Sequence, residues 1–101
     1  MFNIFRVEGN SMLPFVASGD LVITFRGAVR PGDVVVMGLP GYGRVVKRAR
    51  QITEHTLSLA SDNRETFSAC CGVPQSKKNL IGKVLCKINF KRQSRFLTMT
   101  E

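Results

Sequence analysis

Two segments of this chain follow one local grammar. Gly19-Asp20 leads into Leu21-Val22-Ile23-Thr24-Phe25, and Pro31-Gly32-Asp33 leads into Val34-Val35-Val36-Met37. Glycine and aspartate favour turns, and β-branched runs favour strands, so each segment reads as a turn that launches a strand. No window of eleven or more residues carries clean helical periodicity. The chain is therefore expected to be built from short strands.

Other segments extend the pattern. Phe2 to Val7 is a short apolar-rich stretch that ends at Gly9, and Leu39-Pro40-Gly41-Tyr42-Gly43 reads as a turn. Arg44 to Ile52 follows as a strand. Thr56-Leu57-Ser58-Leu59-Ala60 is the next, after a polar turn at Glu54 and His55. Ser61 to Lys78 reads as one long irregular segment of the kind that is often functional. Leu80 to Asn89 returns to strand character. These readings predict an all-β (mainly β) domain of about seven short strands. The domain is expected to span residues 1–90, followed by a basic, loosely held tail at 91–101.

The chain has 101 residues, enough for one domain, and 44% are apolar, enough for a core. Its net charge of +8 favours an acidic partner such as nucleic acid, an anionic membrane surface or an acidic protein. Cys70, Cys71 and Cys86 are three in number and show no C-x-x-C spacing; His55 is the single histidine. Neither a zinc site nor another cofactor is expected, and the default is reduced thiols. A Cys70–Cys86 or Cys71–Cys86 bridge is the minor alternative. The first residues lack the basic-then-apolar layout of a signal peptide, and the apolar run from Val34 to Gly43 is too short to span a membrane. A cytoplasmic or peripheral membrane location is expected.

Lys47 breaks the strand pattern. Alternation from Val45 puts Lys47 on one face with Val45 and Ala49, while Arg44, Val46, Arg48 and Arg50 share the other, read as the solvent face. A lysine among small apolar residues is short of water, which disfavours its ammonium form, and a neutral lysine is a base. Ser11, in Glu8-Gly9-Asn10-Ser11-Met12-Leu13-Pro14, is a plausible partner. A serine hydroxyl becomes an effective nucleophile when a neighbouring base takes its proton. Gly9 permits a sharp turn, and backbone N–H groups around Asn10 and Ser11 are placed to meet a developing oxyanion. His55, in a polar turn beside Glu54, is a poor rival base.

Taken in order, the residues resemble a known family. Ser11-Met12-Leu13-Pro14, Gly19-Asp20-Leu21-Val22, Pro31-Gly32-Asp33-Val34-Val35 and Val46-Lys47-Arg48 resemble successive boxes of type I signal peptidases. Ser61-Asp62-Asn63-Arg64 resembles their Gly-Asp-Asn-Arg box. Gly72-Val73-Pro74 with Asn79 to Val84 resembles their closing segment. Self-cleaving SOS and phage repressors, the LexA-like group, share the Gly-x-Ser-Met start and the lysine strand. The resemblance implies a compact fold of short, coiled antiparallel strands with a serine–lysine dyad. Ser11 would be the nucleophile, Lys47 the general base, and the Ser11 N–H part of the oxyanion hole. Asp62 and Asn63 would brace the neighbouring loop, and Met12, with Leu13 beside it, would contact an extended polypeptide substrate. The serine-and-aspartate motif that usually follows is replaced here by Phe67-Ser68-Ala69-Cys70-Cys71, which leaves Ser68 as the nearest helper serine. Gly9 stands where some members carry a serine.

The resemblance points to an endopeptidase that removes a leader, signal or maturation peptide. Two alternatives belong to other classes. The first is a self-cleaving, dimerising repressor or mutagenesis-protein domain. It is disfavoured because only ten residues precede Ser11, and none of them forms a helix-turn-helix. The second is a basic nucleic-acid-binding module using Arg44, Arg48 and Arg50, with Lys87, Lys91, Arg92 and Arg95 as a further cluster. It lacks aromatic residues interleaved with the arginines of that strand. Anionic lipid headgroups are an equally good use of the same charge.

Overall fold

The computed structural model describes residues 2–66 and 70–89. Ser68, Lys91, Arg92, Arg95 and the tail expected at 91–101 lie outside them. Seven strands form one antiparallel sheet: β1 (Phe2–Arg6), β2 (Leu21–Phe25), β3 (Val34–Leu39), β4 (Gly43–Ile52), β5 (Thr56–Ala60), β6 (Gln75–Ser76) and β7 (Leu80–Ile88). Their order is β1-β2-β7-β3-β4-β5-β6. The chain is all-β, as its sequence predicts. One reading needs correction: the segment from Ser61 to Lys78 holds β6, paired with Thr56 and Leu57 of β5, and a 3-10 turn at Lys77–Asn79.

The paired Gly-Asp turns use one device twice. Asp20 N–H donates to the Ala17 carbonyl at 3.0 Å, and the Asp20 carboxylate accepts from Ala17 N–H at 2.9 Å. Asp33 does the same with Arg30, at 3.0 and 2.9 Å. The third residue of each turn sits at positive φ, +97° for Gly19 and +98° for Gly32, where a side chain is strained. Each aspartate thereby closes its turn and sets the start of β2 or β3.

β3 is buried on both faces. Val35, Met37 and Leu39 join Ala49, Leu57, Leu59 and Cys70 in one cluster. Val34 and Val36 join Val7, Met12, Val16 and Val22 in a second. Fully burying one such side chain contributes about 1.5–3 kcal/mol, so each side of β3 supplies a substantial core. A sheet with a core on each face must coil, and coiling carries β1 toward β4 although three strands separate them in the sheet. Arg44 of β4 lies 5.3 Å from the centre of the Phe5 ring of β1.

That closure corrects the reading of β4. Lys47 and Ala49 are buried, as alternation requires. The opposite face is not simply wet, because Val46 packs on the second cluster and Arg48 lies over Phe15. The guanidinium groups themselves lie over the aromatic rings, Arg44 over Phe5 and Arg48 over Phe15. Among the described residues no helix is long and apolar enough to cross a membrane.

Candidate active site

The coiled sheet leaves a cavity of about 890 Å³ between β1 and β4, large enough for several residues of an extended peptide. Ile4, Phe5 and Arg6 line one side, Arg44, Val45 and Val46 the other, with Val22 and Val36 between. Ser11 and Lys47 both line it. The two residues singled out from the sequence therefore meet at one cavity.

Lys47 is 4% exposed and pairs with Val35 across the β3–β4 ladder. Its Nζ donates to Ser61 Oγ at 2.9 Å. Ser11 sits in the turn between β1 and β2. That turn is closed by Leu13 N–H donating to the Asn10 carbonyl at 3.2 Å and Val16 N–H to the Met12 carbonyl at 3.1 Å. Gly9, at φ +89°, supplies the bend before it. Among the described residues, neither the Ser11 hydroxyl nor its N–H has a hydrogen-bond partner. Such contacts often tighten only once substrate is bound.

The segment after β5 binds both halves of the site. Asn63 N–H donates to the Ser11 carbonyl at 2.9 Å, and Asn63 Nδ2 donates to the Asn10 carbonyl at 3.0 Å. Asp62 takes a two-point bond from Arg48, at 2.8 Å from Nε and 2.7 Å from Nη2. Arg48 Nη1 donates to the Gly32 carbonyl at 2.7 Å. The hydrogen bond to Asp62 raises the Arg48 pKa above its usual value; partial burial opposes this and the carboxylate's charge adds to it.

Met12 does not contact the cavity. It is 1% exposed and packed in the second cluster with Val7, Val16 and Val22. Its unbranched side chain fills core space, so the expected role in holding substrate is corrected to packing beneath the nucleophile turn. Leu13 is half-buried and also absent from the cavity wall.

Ser61 is the residue that sequence reasoning missed as a partner for Lys47. The legible signal was hairpin arithmetic: Arg48 pairs with Ala60 and Ala49 with Leu59, so one more step sets Ser61 opposite Lys47. Cys70 also lines the dyad cavity, and Cys71 Sγ lies 3.6 Å from Ser61 Oγ. All three cysteines are free thiols. Burial pushes the Cys70 pKa up, the neighbouring Cys71 adds to the rise, and the Lys47 charge opposes it. Among the described residues, no group of three or more His, Cys, Asp or Glu side chains gathers to hold a metal.

Comparison with known proteins identifies a family. The family model described as Peptidase S24-like matches residues 2–85, which contain the whole sheet except the end of β7. No curated protein matches the chain.

Proposed function

Because the chain belongs to the Peptidase S24-like family, which covers serine peptidases and self-cleaving repressor-like domains, we propose that it is a serine endopeptidase with Ser11 as nucleophile and Lys47 as general base. The observation that carries this reading is a buried lysine on the wall of the cavity that Ser11 also lines. Ser11 Oγ attacks the scissile carbonyl and passes its proton to the neutral Lys47 amine. The carbonyl oxygen becomes an oxyanion, and the Ser11 N–H is a donor suited to it. Lys47 then protonates the departing amine, and water hydrolyses the acyl-enzyme by the reverse route.

The substrate segment is extended. It lies between β1 and β4, where strand edges offer main-chain hydrogen bonds to a peptide. Its cleavage releases a leader, signal or maturation peptide. Of the three arginines that suggested a nucleic-acid face, Arg44 and Arg48 are engaged by Phe5, Phe15, Asp62 and the Gly32 carbonyl, and Arg50 is exposed.

The test is incubation of the protein with leader-bearing precursors, with the product masses measured. Cleavage is expected in the wild type and lost in both Ser11→Ala and Lys47→Ala. Retention in both variants refutes the dyad. A second reading is self-cleavage, which the same family includes. The protein incubated alone then yields fragments at a rate independent of its concentration.

A further inference from the structure

We propose that a second cavity, separate from that of Ser11 and Lys47, is an oxyanion-binding site that takes a carboxylate or phosphate group between Arg50 and Arg64. The cavity measures about 800 Å³, a volume suited to a small ligand or a short peptide segment, and it shares no lining residue with the first. The site stands apart from the serine–lysine chemistry and does not require it.

A break in the sheet builds its wall. Ala49 pairs with Leu59 and Ile52 with Leu57, so Arg50 and Gln51 of β4 together oppose Ser58 of β5. Strict alternation sends neighbouring side chains to opposite faces. The extra residue of a bulge undoes that alternation and re-aims a side chain. Arg50, Gln51 and Ser58 accordingly line one cavity, and Arg64 lines it from the segment after β5.

The wall offers donors and positive charge. No Asp or Glu lines it. Arg50 and Arg64 are exposed and have no ion-pair or hydrogen-bond partner among the described residues. The Ser58 hydroxyl accepts from Gln51 N–H at 3.1 Å and keeps its own proton to give. Nearby acceptors are already taken. The Asn63 side-chain oxygen accepts from Glu65 N–H at 3.0 Å, and the Asn63 carbonyl accepts from the Thr66 hydroxyl at 2.9 Å. The Gly32 carbonyl accepts from Arg48 at 2.7 Å. A guanidinium presents a planar fork that matches two oxygens of a carboxylate or phosphate. A concave wall of one charge sign also concentrates its field on an occupant. Two free arginines suit one compact group rather than a run of phosphates. Ser61 and Asn63 line the same cavity, so an occupant lies against the segment that holds the Ser11 turn.

The experiment is a nitrogen-15 NMR titration at low salt with two probes, inorganic phosphate and an N-acetylated tetraglutamate peptide. Wild type is compared with Arg50→Gln, Arg64→Gln and Arg26→Gln. Arg26 is exposed outside the cavity, so its variant loses the same charge elsewhere. Thermal melts confirm that each variant is folded. Signals of Arg50, Gln51, Ser58 and Arg64 are expected to shift in wild type. Arg50→Gln and Arg64→Gln are each expected to weaken binding about tenfold, and Arg26→Gln to leave it within about twofold. Tighter binding of the peptide assigns the seat to acidic segments of a polypeptide. Phosphate binding as tightly or more tightly assigns it to a phosphorylated small molecule. Failure of both probes to bind overturns the proposal. Equal loss in Arg26→Gln also overturns it, because the attraction is then that of net charge alone. Loss in only one of the two cavity variants overturns the two-arginine seat. Binding is read without cleavage, so a protein that cuts no precursor but binds either probe in this pattern refutes the peptidase reading and supports the oxyanion site.

Discussion

Asn63 holds the Ser11 turn from a distant part of the chain: its N–H bonds the Ser11 carbonyl at 2.9 Å and its side-chain amide bonds the Asn10 carbonyl at 3.0 Å. The nucleophile turn lies between β1 and β2, while Asn63 follows β5. Nothing in the sheet ladder fixes these two loops against each other, so these bonds set where Ser11 stands relative to Lys47.

Replacing Asn63 with alanine removes the side-chain bond to Asn10 and the acceptor that Glu65 N–H uses at 3.0 Å, while the backbone bond to Ser11 persists. The Asn10 carbonyl keeps its bond from Leu13 N–H. The expected loss is about 1 kcal/mol of stability in urea unfolding, the net worth of a typical hydrogen bond. Fluorophosphonate labelling of Ser11 is expected to slow roughly tenfold, because the turn is displaced rather than dismantled. Asn63→Asp should be worse, since a carboxylate then faces the Asn10 carbonyl with no proton to share. A variant with normal stability and normal labelling would show that the backbone bond alone fixes the turn.

Much of the fold was legible because its turns and strands use residues with strong local preferences. The two Gly-Asp turns predict where β2 and β3 begin, and alternation of polar and apolar residues marks β5. β6 was invisible because Gln75 and Ser76 carry no apolar alternation; they are extended only because the Thr56–Leu57 edge offers partners. The solvent face of β4 was misread for a related reason. Alternation separates two faces but does not say that both are covered, and coiling of the sheet covers both.

At the site, residue identity was more legible than geometry. Ser11 and Lys47 stand out as residue types in unusual settings, and they do meet at one cavity. The family resemblance implied a substrate contact for Met12, whereas the turn directs it into the core at 1% exposure. Ser61 was passed over because only the β4–β5 register brings it to Lys47.

Lys47→Met separates function from stability. Methionine has a similar length and needs no water at its end, so the core beside Val35 and Ala49 accepts it. Burying a polar amine is costly even when it is hydrogen-bonded, and an apolar replacement of like volume is often stabilising. The expected result is loss of Ser11 labelling with a gain of about 1 kcal/mol, seen as a rise of about 4–8 °C in Tm for a domain of this size. Ser61 keeps Cys71 as a neighbour after the change, which limits the cost of losing its bond to Lys47. A fall in Tm would mean that the hydrogen bonds of the amine outweigh the cost of burying it.

Thiol reactivity offers an independent reading of the same site. The thiolate is the species that alkylates, so accessibility and pKa act together. Cys86 is exposed, Cys71 half-buried and Cys70 only 2% exposed. Burial raises the Cys70 pKa, and Cys71 raises it further, so at neutral pH Cys70 is overwhelmingly the unreactive thiol. Iodoacetamide followed by mass analysis should modify Cys86 first, Cys71 next and Cys70 last. Because the Cys70 pKa is raised, its alkylation should climb only at a pH above that at which a free thiol reacts. Lys47 opposes that rise, so Lys47→Met should slow Cys70 still more at fixed pH. Rapid Cys70 alkylation at neutral pH in the folded protein would contradict both its burial and the direction of its shift.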